Sequence, residues 1–218
     1  MAKKGKGIFM VYTDVDPRHE DEFNAWYNTE HLPELLSLPG FLDAARYEAT
    51  KGGPKYLAVY ELRNVSALQT TTFHKWRAAS SPWSRRISPT VIGKNVIRIV
   101  GQQIFPRGLE QPDRELPPGL QIGRMSVPES ADKTWNAWYN GEYIPGYRKV
   151  PGVLYARRYR VVQGETRYAT VYEFAHDKVS ESDAWNHQRQ TSSSKSERMR
   201  ALMTHGHGSP GVYRRISP

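Results

Sequence analysis

The sequence contains no cysteine. That excludes disulfides, thiolate nucleophiles, thiolate-bound zinc and cysteine-ligated iron–sulfur clusters. No apolar run reaches the roughly 18 residues from which a membrane-crossing helix is read. The start, MAKKGKGIFMVYTD, is basic, but its apolar part is only Ile8 to Tyr12, too short for a signal-peptide core. It reads as a first strand, so the expected location is cytoplasmic with no membrane partner. A phosphate-binding P-loop, GxGxxG, HExxH and GxSxG are all missing, and no organic cofactor or metal is expected from motifs.

What is present is aromatic and basic. Six Trp and 13 Tyr stand in 218 residues that are 38% hydrophobic, enough for a packed core. Lys and Arg total 31 against 22 Asp and Glu, giving a net charge of +9. The excess is spread over both halves, with Lys3, Lys4 and Lys6 the one dense cluster. No nucleic-acid recognition motif accompanies it, so nucleic acid is not an expected partner, whereas a small anionic substrate is compatible.

The strongest signal is an internal repeat. Asn24-Ala25-Trp26-Tyr27-Asn28 returns as Asn136-Ala137-Trp138-Tyr139-Asn140, 112 positions on (136 − 24). The same register carries Glu30 onto Glu142, Pro33 onto Pro145, Pro39-Gly40 onto Pro151-Gly152, Arg46-Tyr47 onto Arg158-Tyr159, and Val59-Tyr60-Glu61 onto Val171-Tyr172-Glu173. A single register over such a span means two copies of one unit. Between them Arg107 to Pro118, RGLEQPDRELPP, is polar and proline-rich and reads as a linker. The expected organisation is 1–106, a linker 107–118, and 119–218.

Each copy carries the same element pattern. Ile8 to Thr13 is a β-prone run, matched by Leu120 to Val127. Phe23, Trp26, Tyr27 and Glu30 fall at i, i+3, i+4 and i+7, one helix face. Pro33 is expected to disturb that helix, and Pro39-Gly40 to end it. Phe41 to Ala49 and Tyr56 to Leu62 read as strands, Val65 to Arg77 as a second helix, and Val96 to Phe105 as a fourth strand. The order is the ferredoxin-like βαββαβ pattern. The bare sheet face of each unit must be covered. The expected fold is therefore α+β: two fused units whose sheets form an internal pseudo-dimeric barrel with helices outside.

WYNTEHLPELLSLPGF at 26–41 and WYNGEYIPGYRKVPGV at 138–153, with the strands after them, resemble the dimeric α+β barrel superfamily, especially its EthD-like members. That resemblance implies a small-molecule protein handling aromatic or lactone-like intermediates. It also implies a histidine in a pocket between helix and sheet.

His31 is the sharpest chemical candidate, an imidazole near a helix bend able to move a proton near neutral pH. Tyr27 and Glu30 complete the expected catalytic group. Asn28, Trp26, Tyr47, Tyr60, Arg46, His74, Trp76 and Tyr143 are the expected substrate contacts, giving aromatic walls, hydroxyls and a guanidinium for a carboxylate. Arg46 could instead pair with Glu61 on a neighbouring strand. Tyr143 stands where the second copy would have His31, so the two units cannot share imidazole chemistry. The first is expected to be the active one. His205-Gly206-His207 lacks a carboxylate close in sequence and makes a poor metal site.

The expected function is a cofactor-independent lyase or isomerase moving a proton on a small aromatic or unsaturated anion. One alternative is a monooxygenase of an aromatic substrate, cofactor-free or haem-dependent with His31, His74 or His187 as axial ligand. Another is a non-catalytic binding protein. A homodimer beyond the internal pair is an open expectation.

Overall fold

The computed structural model describes residues 4–108, 115–190 and 193–217. Strand β1 (Gly7–Asp14) leads through a 3-10 turn (Pro17–His19) into α1 (Glu20–Trp26), a π turn (Tyr27–His31) and α2 (Leu32–Leu36). Strands β2 (Phe41–Lys51) and β3 (Tyr56–Leu62) follow. A 3-10 turn (Val65–Gln69), α3 (Thr71–Ala78), α4 (Ser84–Ile87) and α5 (Pro89–Ile92) then lead to β4 (Lys94–Phe105). Beyond residue 115 come β5 (Gly119–Ser126), α6 (Asp132–Trp138), a second π turn (Tyr139–Tyr143) and α7 (Ile144–Tyr147). The chain continues with β6 (Val153–Gln163), β7 (Tyr168–Phe174), α8 (Asp183–Gln190), α9 (Ser194–Ala201), the short β8 (Thr204–His205) and β9 (Gly211–Ser217).

Two helical expectations change. Pro33 does not break the helical run. It sits in the first turn of α2, where a missing N–H costs nothing, and the irregularity is absorbed upstream by the π turn. The helix expected over Val65 to Arg77 is divided at Thr70, which is extended and whose hydroxyl accepts from Phe73 N–H at 3.2 Å. Gly40, at φ +94°, carries the chain from α2 into β2, and a Cβ there would lie 2.8 Å from the Cβ of Ala67.

The strands form one antiparallel sheet in the order β7-β6-β4-β1-β3-β2-β9-β5-β8, and β7 also pairs with β5. That last pairing closes eight strands into a barrel, with β8 appended. The seams are β4 on β6, with Gln102 opposite Arg160, and β2 on β9, with Tyr47 opposite Arg215. The protein is thus a mixed α/β chain of the α+β barrel class.

Side-chain alternation divides the strands into an inner and an outer face. Ile8, Met10 and Tyr12 of β1, Leu57 and Val59 of β3, and Ile99 of β4 pack inside with Tyr159 and Val171. Val11, Arg46, Ala58 and Tyr60 lie on the other face, where the helices pack. Inside the barrel lies a buried ion-pair cluster: Arg157 bridges Glu61 and Glu173 (3.0 Å to Glu173 Oε1), and the Lys4 ammonium reaches Glu173 at 2.5 Å. Arg157, Glu61 and Glu173 have no solvent exposure.

The expected linker packs against the barrel at its end. Its residues 109–114 lie outside the described residues, but Leu116 is buried among the inner strand residues. Leu116 N–H donates to Asp43 Oδ2 at 2.8 Å, and the Tyr47 hydroxyl donates to Pro117 O at 2.9 Å. This stretch closes one end of the barrel.

Candidate functional site

The WYNTEH motif builds its local geometry through the π turn. Leu32 N–H bonds to Tyr27 O, five residues back, so the turn is one residue wider than an α turn. His31 consequently stacks on Trp26, with ring centroids 4.4 Å apart and 26° between planes. Tyr27 meets the imidazole edge-on at 5.0 Å, and Trp76 of α3 is tilted against it at 5.6 Å.

These rings border a cavity of about 250 Å³ between α1–α2, α3–α5 and the outer face of the sheet. Phe9, Val11 and Val100 form its sheet wall, Leu35, Leu68 and Phe73 its apolar side, and Ser81, Ser84 and Thr90 part of its rim. Arg98 of β4, Arg77 of α3 and Gln163 at the end of β6 also reach it.

His31 is half-buried, and its Nδ1 is closed off from solvent without a hydrogen-bond partner. Burial pushes its pKa down from 6.5 to about 3, and the guanidinium charges of Arg98 and Arg46 push the same way. The imidazole is therefore neutral at physiological pH. That corrects the expectation of a histidine cycling its proton near pH 7 in the free protein. Burial also raises the Tyr27 and Tyr60 hydroxyls above their usual range.

Of the residues expected from sequence, His31, Trp26, Tyr27 and Trp76 meet at this cavity. Glu30 does not line it. One of its carboxylate oxygens accepts from Trp26 Nε1 (3.1 Å), Ser81 Oγ (2.6 Å) and Ser84 Oγ (3.1 Å), pinning α4 to α1. Asn28 and Arg46 are spent on each other. The guanidinium donates to Asn28 Oδ1 at 3.3 Å and Asn24 Oδ1 at 2.6 Å, and it lies 4.6 Å from the Tyr27 ring centroid. Arg46 does not pair with Glu61 either, because the two occupy opposite faces of the sheet. Tyr47 points into the barrel for the same reason of alternation. Tyr60 is buried behind Phe9, stacked at 5.4 Å, and supports the cavity wall from below. His74 is exposed on the outer side of α3 and does not reach the cavity.

Tyr143, the counterpart of His31, is packed among rings in the second half. It packs on Trp138 (4.9 Å), Tyr139 (4.7 Å) and Tyr147 (4.9 Å), and Tyr147 packs on Trp185 at 4.4 Å. At the positions 112 earlier stand His31, Leu35 and Phe73, each smaller. Three larger side chains fill there what three smaller ones leave open here.

The residues that sequence reasoning missed are Arg98, Arg77 and the serine-rich rim. Arg98 carried a legible signal: in Val96 to Val100 it shares a strand face with two valines, and a charge on a covered face asks for a role. Glu34 Oε2 accepts the Trp76 indole N–H at 3.0 Å, a contact between elements that no local pattern reveals.

Residues 6–80, about a third of the chain, match the model of a domain of unknown function, DUF4286. No curated protein sequence matches. Among solved structures the chain resembles a protein assigned as a monooxygenase from Lactobacillus acidophilus NCFM, at TM-score 0.56 and 10% identity over 97% of this chain and 93% of that one. An anthrone oxidase-like protein matches at TM-score 0.55 and 12% identity, over 99% and 94%. A haem-binding protein from Thermus thermophilus matches at 0.57 and 10%, over 98% and 92%. At such identities these relatives establish the α+β barrel fold alone. They do not confirm the narrower EthD-like resemblance expected from the two sequence motifs.

Proposed function

We propose that the protein is a monooxygenase-type α+β barrel acting on a compact aromatic molecule bound beside His31. The observation that carries this reading is the aromatic cavity itself, a ring-walled space of about 250 Å³ with one neutral imidazole at its edge. It falls just below the ~300–1,000 Å³ typical of ligand pockets, a size for one or two fused rings. The relatives assigned as monooxygenase and anthrone oxidase-like support oxygen chemistry over the lyase or isomerase reaction expected from sequence. The repeat supports a further part of the proposal: two fused ferredoxin-like units, 1–106 and 119–218, of which the first holds the pocket and the second is scaffold.

The chain's own contribution is orientation and a proton. Trp26, Phe73 and Trp76 hold a flat ring by its faces and edges. Neutral His31 accepts a hydrogen bond from a ring hydroxyl and takes its proton as the ring becomes an anion. The imidazolium, disfavoured in the free protein, is then paired with that anion. The electrons come from the ring anion itself: a ring carbon ortho or para to the hydroxyl bonds O2 as a hydroperoxide, and loss of water with the C–H proton leaves a quinone, so phenol and O2 become quinone and H2O with no external reductant.

Haem, the alternative raised by the haem-binding relative, does not fit this cavity. A metal-ligating histidine commonly donates its second ring N–H to a carboxylate or carbonyl, and no protein carboxylate or carbonyl among the described residues meets His31 Nδ1. The space is also too small for a macrocycle.

The test is oxygen uptake with dihydroxynaphthalenes and other electron-rich phenols, in parallel with a haemin titration. Uptake by the wild type that falls at least ~100-fold in His31→Phe supports the reading. Uptake equal in both proteins, or a haem complex abolished by His31→Phe, would overturn it.

A further inference from the structure

The cavity is electrostatically unbalanced. Arg98 and Arg77 line it against the single carboxylate of Glu34, and Glu34 Oε2 already accepts the Trp76 indole N–H. Among the described residues neither arginine side chain has an ion pair or hydrogen bond. The two differ in depth. The Arg98 charge is felt at His31, Tyr27 and Tyr60, whereas that of Arg77 is not among the influences on any of them.

The backbone under Arg98 is fixed. It stands opposite Val11 in the β1–β4 ladder, and both lie on the face turned to the helices, while Ile99 packs inside the barrel. From the other half of the chain, Gln163 lies opposite Val100 and lines the same cavity. The turn after it approaches so closely that a Cβ on Gly164 would meet Arg98 O at 3.0 Å. The guanidinium thus has a rigid base and an unpaired head at a cavity of aromatic rings.

A solvated guanidinium without a protein partner at the edge of an apolar space is free to engage a bound anion, and a planar guanidinium is best met by a carboxylate engaging two N–H groups at once. Building on the aromatic-pocket reading above, we propose that Arg98 anchors a carboxylate carried on the substrate ring. The substrate class is then the hydroxylated aromatic monocarboxylates, with the ring over Trp26 and the carboxylate at the β4–β6 seam. Arg77, farther out, steers anions toward the mouth without pairing closely.

The experiment is calorimetric titration of the full chain with 2-hydroxybenzoate and with its neutral amide, 2-hydroxybenzamide. Wild type is expected to bind the carboxylate about 10- to 100-fold more tightly than the amide. Arg98→Met is expected to erase that preference while leaving amide affinity within about threefold; Arg98→Lys recovers part of it, and Arg77→Met leaves most of it. Because Arg98 is exposed, its variants should melt as the wild type does, and thermal melts confirm this on the same samples. Equal binding of acid and amide by wild type, or an unchanged preference in Arg98→Met, overturns the anchor and leaves the aromatic pocket standing. Binding of neither compound removes the pocket reading and the anchor with it.

Discussion

The imidazole of His31 lies on the indole of Trp26 although the two are five positions apart, with 4.4 Å between centroids. On an α-helix, neighbours on one face are three or four apart. The extra residue of the π turn brings these two together and turns His31 toward the cavity. Trp138 and Tyr143 repeat the relationship at 4.9 Å. The same backbone device therefore serves an open site in one half and a filled core in the other.

The buried, unpartnered His31 nitrogen sets a pH dependence. In the unfolded chain the imidazole binds a proton below about pH 6.5, and in the folded chain only below about 3. Between those values the unfolded state holds more protons, so stability falls as pH falls. His31→Phe removes that contribution and the unsatisfied nitrogen together. Urea midpoints at about pH 7 and about pH 4.5 should converge in the variant relative to wild type, with the variant at least as stable at the higher pH.

The cavity should be closable from within. Phe73→Trp and Leu35→Tyr place the second half's larger residues in the first, and fluorescence titration with an aromatic ligand should show affinity lost by at least ~10-fold with little loss of stability. The reverse change, Tyr147→Leu with Trp185→Phe, empties a packed core. It should cost about 2–4 kcal/mol in chemical denaturation and raise the ligand stoichiometry.

The Glu30 carboxylate gathers three donors from the elements around it. Glu30→Gln keeps an acceptor for Trp26, Ser81 and Ser84, whereas Glu30→Ala strands all three donors. A loss of about 1–3 kcal/mol in the alanine variant, with ligand affinity retained in the glutamine variant, is the expected pair of results. A glutamine variant that binds normally but has no turnover would restore Glu30 as a proton-transfer group.

The barrel interior holds a buried ion-pair cluster. Arg157→Met removes a guanidinium that Glu61 and Glu173 share, leaving Glu61 without that buried partner. The expected cost is about 3–5 kcal/mol, read from guanidinium denaturation. Adding Glu61→Gln to that variant should recover part of it.

The sequence by itself determined the repeat, the succession of elements along the chain and the aromatic motif around His31, since these follow from periodicity and from identical residues recurring in one register. It also showed that His31 and Tyr143 must differ in role. Tertiary structure decided what each residue faces. Arg46 and Tyr47 are adjacent, yet alternation sends one beneath the helices and the other into the barrel. Glu61 finds its partner in Arg157, 96 positions away, and not in the nearby Arg46. Arg98 joins the site only because β4 pairs with both β1 and β6. The space beside His31 depends on side-chain volumes summed over three separate elements, and at the matching positions beside Tyr143 those side chains are larger. Local pattern encodes which face a residue takes, but not which distant groups close around it, and packing density is a property of that whole neighbourhood.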